Sequence, residues 1–162
     1  MVQTGLNSRG GCESRLLERE VVLLWRHLPG GEEPAVRAQK IVPIVTVQNH
    51  YNLADRRSER MDEAQSEQMI DICARQGIGF IPWSPLTAGQ LARGGGPLDQ
   101  IARQHNARPS QIALAWLLKR SPTMLPIPGT SSVQHLEEDV QGATIQLTQE
   151  EFDTIERAAA GQ

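Results

Sequence analysis

The residues best suited to chemistry gather between Met124 and Asp139, which reads M-L-P-I-P-G-T-S-S-V-Q-H-L-E-E-D. Leu125 and Ile127 make a short apolar strand that runs into Gly129, Thr130, Ser131 and Ser132. A helix then begins with Ser131 or Ser132 as its N-cap, and Gln134, three residues after Ser131, has the spacing of a capping box. A glycine and small hydroxyls between a strand end and a helix start form a ready anion site. The free N–H groups and the helix dipole point at the same spot. A second strand-to-loop junction of this kind, Phe80-Ile81-Pro82-Trp83-Ser84-Pro85-Leu86, lies upstream. Two such loops can hold two parts of one ligand.

Each of these residues also has a plainer reading. Ser84 and Ser131 serve equally well as turn and cap residues, Trp83 as core and His135 as surface. Cys73 sits on an apolar stripe and reads as core. His50 and His105 have no metal-ligand spacing with other residues. The i,i+3 pair His135 and Glu138 has no evident third ligand. Arg56 and Arg57, next to Glu59 and Arg60, read as a solvated helix start.

The elements that must position these loops follow from patterning. Ile44 to Gln48 is a β-branched run, a buried strand. Arg57 to Arg75 is charged and helix-prone, with Met69, Ile72 and Cys73 at helical spacing and Gly77 as its C′ residue. Ile78 to Trp83 is the next strand, and the triple glycine in 89–97 marks a flexible loop. Helices follow at Leu98 to His105 and Pro109 to Arg120, then the strand Leu125 to Ile127 and a helix from Val133 to Gln141. Thr148-Gln149-Glu150-Glu151 is a capping box that opens a last helix with Phe152, Ile155 and Ala159 inside. Upstream, Leu16 to Leu28 orders as either a strand or a helix, and Met1 to Ser14 reads as loop or disorder. The alternation of strands and helices predicts parallel strands with crossover helices, as in a barrel or a doubly wound sheet.

A chain of 162 residues is one domain by length. Aromatic residues make up 4%, which predicts an aliphatic core. A net charge of −3 offers nothing to nucleic acid or to anionic membranes, and no apolar run approaches a membrane span. The polar N-terminus carries no signal-peptide core. Cys12 and Cys73 lie far apart without C-x-x-C spacing, so free thiols in a reducing cytoplasm are expected. Ile101 to Ile112 has the outline of a DNA-binding helix-turn-helix, but Ser110 to Leu118 is apolar nearly all round and lacks basic flanks, which marks a buried helix.

From about Pro34 to Ala160 the chain resembles the C-terminal half of an aldo-keto reductase. The likeness rests on Val47-Gln48-Asn49-His50-Tyr51-Asn52, on Gly77 to Leu86, and on Ile127 to Ser132 with His135-Leu136-Glu137-Glu138-Asp139 after it. The linking helix Gln111 to Leu118 matches too. The resemblance implies an α/β fold, part of a (β/α)8 TIM barrel that binds NADP(H) at the C-terminal ends of its strands. It also divides the chain into a non-matching segment, 1–33, and a half-barrel, 34–162. It implies that Gln48 bonds the nicotinamide carboxamide and that Trp83 stacks on the ring. Ser84, Pro85, Leu86 and Gly89 wrap the pyrophosphate. Gly129, Ser131 and His135 surround the 2′-phosphate, and Glu138 and Asp139 meet the adenine amino group. The family usually has Asn where Asp139 stands, and often Arg or Gln where His135 stands. A neutral His135 neutralises a 2′-phosphate poorly, which leaves NAD(H) open beside NADP(H).

The family's Asp, Tyr, Lys and His tetrad is not found. The only tyrosine is Tyr51, inside a motif that matches a non-catalytic position, and the only lysines are Lys40 and Lys119. His27-Leu28-Pro29 is a faint echo of the family's H-x-P. A full barrel takes ~250 residues, so a truncated gene, a shifted start or a domain fragment is expected. The reading is therefore the cofactor-binding half of an NADP(H)-dependent carbonyl reductase, acting on a carbonyl substrate only when the barrel is completed. Its alternative is an inactive half-barrel that serves as a nucleotide-binding or interaction module. Open strand edges and an uncovered inner layer predict self-association, or a partner that supplies the missing strands.

Overall fold

The computed structural model describes residues 21–24, 39, 43–56, 63–86 and 96–160. Its strands are β1 (Val21–Leu24), β2 (Ile44–His50) and β3 (Gly79–Trp83), and its helices are α1 (Glu63–Gln76), α2 (Pro97–Gln104), α3 (Pro109–Arg120), α4 (Val133–Gly142) and α5 (Gln149–Ala160). The sheet has the order β1-β2-β3, with both pairings parallel. The ambiguous run Leu16 to Leu28 thus contains a strand, paired to β2 from Val21↔Ile44 to Leu24↔Gln48.

The strand expected at Leu125 to Ile127 is reduced to one parallel bridge, Phe80↔Met124. The Phe80 N–H donates to Thr123 O, and the Leu125 N–H donates to Phe80 O, both at 2.8 Å. The next rung would need an N–H from residue 82, which is Pro82, and so the ladder stops. The segment still runs alongside β3 in the fourth strand position.

Local signals set the helix ends. Gly77, at φ +68°, closes α1, and the Ile78 N–H returns to Cys73 O at 2.9 Å, the bond of a Schellman turn. The Thr148 hydroxyl accepts from the Glu151 N–H (3.2 Å) while the Glu151 carboxylate accepts from the Thr148 N–H (2.7 Å), forming the expected capping box of α5. α3 is buried continuously from Gln111 to Leu117, so it presents no groove-reading face.

The helices cover one face of the sheet. Val47, Phe80 and Met124 point into them, together with Met69, Ile70, Ile112, Leu117 and Ile155. The core is mainly aliphatic, as expected, and the scarce aromatics are concentrated within it. Tyr51 stacks on Trp116 at 5.8 Å, Trp116 on Phe152 at 6.1 Å, and Phe80 meets Tyr51 edge-on at 6.1 Å. A polar network borders this stack. Tyr51 donates to Glu67 at 2.6 Å, Arg120 bridges Glu67 and Asp71, and Trp116 Nε1 donates to Glu156 at 2.7 Å. Arg56 pairs with Glu156 at 2.8 Å and lies over the Trp116 ring. Arg56 is therefore not part of a solvated helix start; it locks the chain after β2 onto α3 and α5. No helix among the described residues is long and apolar enough to cross a membrane.

Candidate functional site

Among the described residues no helix covers the opposite face of the sheet, hereafter the open face. Side chains alternate along a strand, so Thr46, Gln48 and His50 of β2 share this face with Gly79, Ile81 and Trp83 of β3. The register pairs them directly as Thr46↔Gly79, Gln48↔Ile81 and His50↔Trp83. Gln48 and Trp83 are thus diagonal neighbours near the C-terminal ends of adjacent parallel strands. Trp83 is 40% exposed, and its ring meets His50 edge-on at 4.5 Å and 65°. Gln48 and Trp83 therefore share one face, and Trp83 is not a core residue.

The loops that leave these strand ends are built from side-chain bonds. Asn52 is fully buried. Its Oδ1 accepts from the Ala54 and Asp55 N–H groups at 3.0 and 2.7 Å. Its Nδ2 donates to Ser84 O at 3.1 Å and lies 3.4 Å from His50 Nε2. Ser84 adopts φ +58°. Pro85 is buried and Leu86 packs against the core, which anchors the loop just beyond Trp83. Gly89 lies outside the described residues. His50 and Asn52 are the contacts that sequence reasoning passed over, although both lie in the same Q-N-H-Y-N motif as Gln48.

The second loop follows the Met124 segment, beside β3 and parallel to it. Ser132, not Ser131, caps α4: its Oγ accepts from the His135 N–H at 3.4 Å, and its own N–H donates to Thr130 Oγ1 at 3.1 Å. Ser131 stays exposed beside Gly129 and Thr130. Gln134 does not close a capping box; it donates to Glu138 at 3.1 Å, one turn on. Glu138 also pairs with Arg108 at 3.0 Å, while Gln111 donates to its backbone carbonyl at 2.8 Å. Burial pushes the Asp139 carboxyl above its usual range, with Glu138 adding to this and His135 opposing it. The first-turn N–H groups of Val133 and Gln134 lie beyond intrahelical reach, as a helix N-terminus requires. His135, Glu138 and Asp139 therefore lie along the first two turns of α4, with Glu138 already engaged by Arg108.

Tyr51 belongs to the other face. It is fully buried, and its hydroxyl is pushed far above the usual tyrosine range, first by burial and then by the charge and hydrogen bond of Glu67. It cannot reach the open face or act as an acid there. Lys119 is exposed near the end of α3, while Lys40 and His27 lie outside the described residues. No group of three or more His, Cys, Asp or Glu residues able to hold a metal occurs among the described residues.

Parallel strands backed by helices, with two loops at their C-terminal ends, define part of a (β/α)8 barrel. The model of the aldo/keto reductase family matches residues 32–160. An oxidoreductase of Schizosaccharomyces pombe is 46% identical over 119 residues, 74% of this chain and 36% of that protein. Pyridoxine 4-dehydrogenase of Escherichia coli is 44% identical over the same length, 74% of this chain and 38% of that protein. The thermostable aldo-keto reductase Tm1743, crystallised with the inhibitor epalrestat, superposes with a TM-score of 0.64 at 29% identity, covering 77% of this chain and 43% of that one. An aldo-keto reductase of Klebsiella pneumoniae in complex with NADPH gives a TM-score of 0.64 at 22% identity, covering 79% of this chain and 45% of that one, a likeness of fold. The chain belongs to the aldo/keto reductase family. It spans well under half the length of these relatives, and the resemblance drawn from its three motifs is borne out.

Proposed function

We propose that this chain is the cofactor-binding half of an NADP(H)-dependent carbonyl reductase. The observation that carries the reading is the strand register, which sets Gln48 and Trp83 on one open face at the same strand ends as the Ser84 and Gly129–Ser132 loops. The residues suit a nicotinamide dinucleotide. Gln48 offers an amide to a carboxamide, and Trp83 a half-exposed ring for stacking. Ser84, Pro85, Leu86 and Gly89 form the loop for a pyrophosphate. Gly129 and Ser131, with the start of α4, offer backbone donors to a 2′-phosphate. His135 stands beside that phosphate, and Glu138 and Asp139 line the place for the adenine amino group. The dinucleotide, when bound, supplies the hydride for a carbonyl carbon. The chain's own part is to bind and orient it. The organisation proposed is a half-barrel over 34–162, preceded by a segment over 1–33 that adds β1 to the edge of its sheet.

A second reading has its own support. The sole tyrosine is buried on the wrong face and engaged by Glu67. That favours a chain that binds the dinucleotide without reducing a carbonyl by itself, a nucleotide-binding or interaction module. β1 and the Met124 segment are the sheet's edges among the described residues, and with the exposed Leu125 and Ile127 they support self-association or a partner that completes the barrel.

The test is titration of the purified chain with NADPH, with NADH alongside, followed by tryptophan fluorescence. Saturable quenching that is stronger with NADPH and lost in Trp83→Phe supports the cofactor site. No quenching with either dinucleotide removes it. Turnover of a nitrobenzaldehyde by the isolated chain would overturn the second reading. Light scattering that reports a monodisperse monomer at micromolar concentration would overturn self-association.

A further inference from the structure

Asn52 joins two loops that start from different strands. Two backbone donors on its Oδ1, from Ala54 and Asp55, fix which way the amide faces. Nδ2 is thereby turned toward the Ser84 carbonyl and the Nε2 of His50. With the amide so oriented, His50 Nε2 accepts, which places the neutral ring's proton on Nδ1. Ser84, at φ +58°, occupies the left-handed region, which is costly for any residue with a Cβ. Such a residue persists only where its surroundings hold it. The bond from the fully buried Asn52 to the carbonyl of Ser84 itself is a contact able to do so. Trp83 immediately precedes that turn and is the cross-strand partner of His50.

We propose that Asn52 is a positioning residue. Its amide holds Ser84 in the left-handed turn and sets His50 against Trp83, so that the ring and the loop after it are placed before a ligand arrives. That Trp83 and Ser84 contact a dinucleotide rests on the function proposed above; the clamp itself does not.

Asn52→Asp separates the two sides of the amide. The carboxylate keeps the acceptor for Ala54 and Asp55 at nearly the same volume, but it turns an oxygen toward the Ser84 carbonyl. The experiment follows the indole N–H resonance of Trp83 in the 15N-labelled chain, assigned with Trp83→Phe, and NADPH affinity in parallel. Asn52→Asp is expected to move the Trp83 resonance and to weaken NADPH roughly tenfold, as when only about a tenth of the molecules keep the loop in its binding position. In a Ser84→Gly background, where glycine takes positive φ freely, the same substitution is expected to move the resonance less and to weaken NADPH less than about twofold. An unmoved Trp83 resonance, or equal effects in both backgrounds, overturns the clamp. If the parent chain binds no NADPH, the cofactor reading falls and the resonance comparison alone decides the clamp. Asn52→Ser keeps a short acceptor but cannot reach Ser84; it is read the same way should Asn52→Asp fail to fold.

Discussion

The helix-covered face of the sheet and the open face are built from alternate residues of the same strands, yet they are finished to different degrees. Val47 and Phe80 are 0% exposed on the first, whereas Trp83, Leu125 and Ile127 are 40–50% exposed on the second. A parallel sheet ordinarily buries both faces. Here one face, with α1, α3 and α5, supplies a largely aliphatic core with an aromatic stack at its centre and an ion network beside it. The other carries Thr46, Gln48 and His50 on β2 and small or broad residues, Gly79 and Trp83, on β3. Stability therefore resides on one side, while the function proposed above places recognition on the other, so substitutions on the two sides are expected to fail in different ways.

The largest effect is expected from paired tryptophan substitutions. Trp116→Ala removes the centre of the stack, the Nε1 donor to Glu156 and the ring beneath Arg56, leaving those two only each other's ion pair at that place. It is expected to cost about 3–5 kcal/mol and to abolish cooperative thermal unfolding. Trp83→Ala is expected to cost under ~1 kcal/mol while removing NADPH-dependent quenching. Equal losses of stability would erase the distinction between the faces.

Glycine substitutions sharpen it. A Cβ on Gly142 would meet the Cα and carbonyl oxygen of Gln111 at 3.2 Å, backbone that cannot yield. Gly142→Ala is expected to destabilise by about 1–2 kcal/mol in urea, despite the helix propensity gained. A Cβ on Gly79 would meet Leu125 Cδ1 at 2.8 Å and Thr46 Cγ2 at 3.1 Å. Leu125 is half-exposed and can swing away, so Gly79→Ala is expected to cost less than ~0.5 kcal/mol. The reverse order would mean that the open face is as tightly filled as the covered one.

The smallest effect lies at the α5 cap. Burial alone would raise the Glu151 carboxyl, but the Thr148 N–H, the His105 ring and the Thr148 hydroxyl together hold it below its usual range. Its folded pKa lies below its unfolded value, so its stabilisation is present above roughly pH 4.3 and is lost as pH falls through the folded value. Glu151→Gln is expected to lower Tm by about 2–4 °C near neutral pH, with the difference closing toward pH 3. A gap that persists in acid would assign the effect to packing instead.

Much of this was legible along the chain. Gly77 was readable as a C′ glycine and Thr148 to Glu151 as a cap because those bonds close within a few residues. The family was readable because three motifs kept their order and spacing. The Leu125 to Ile127 strand was misread because its pairing depends on Pro82, on a different segment. Arg56 was misread because its partner Glu156 is 100 residues away. The sequence left Ser131 and Ser132 both open as the cap of α4, because only backbone geometry decides which hydroxyl reaches the His135 N–H.

The sequence alone therefore determined the family, the order of strands and helices, and the residue types offered to a ligand, since these depend on local bonding and periodicity. Tertiary structure decided which side each residue serves. Gln48, His50 and Trp83 face the open side, while Tyr51, the residue most tempting as an acid, is turned under the sheet to Glu67. A strand shows its neighbour on alternate faces, but which face the helices cover is set by packing between segments far apart in the chain.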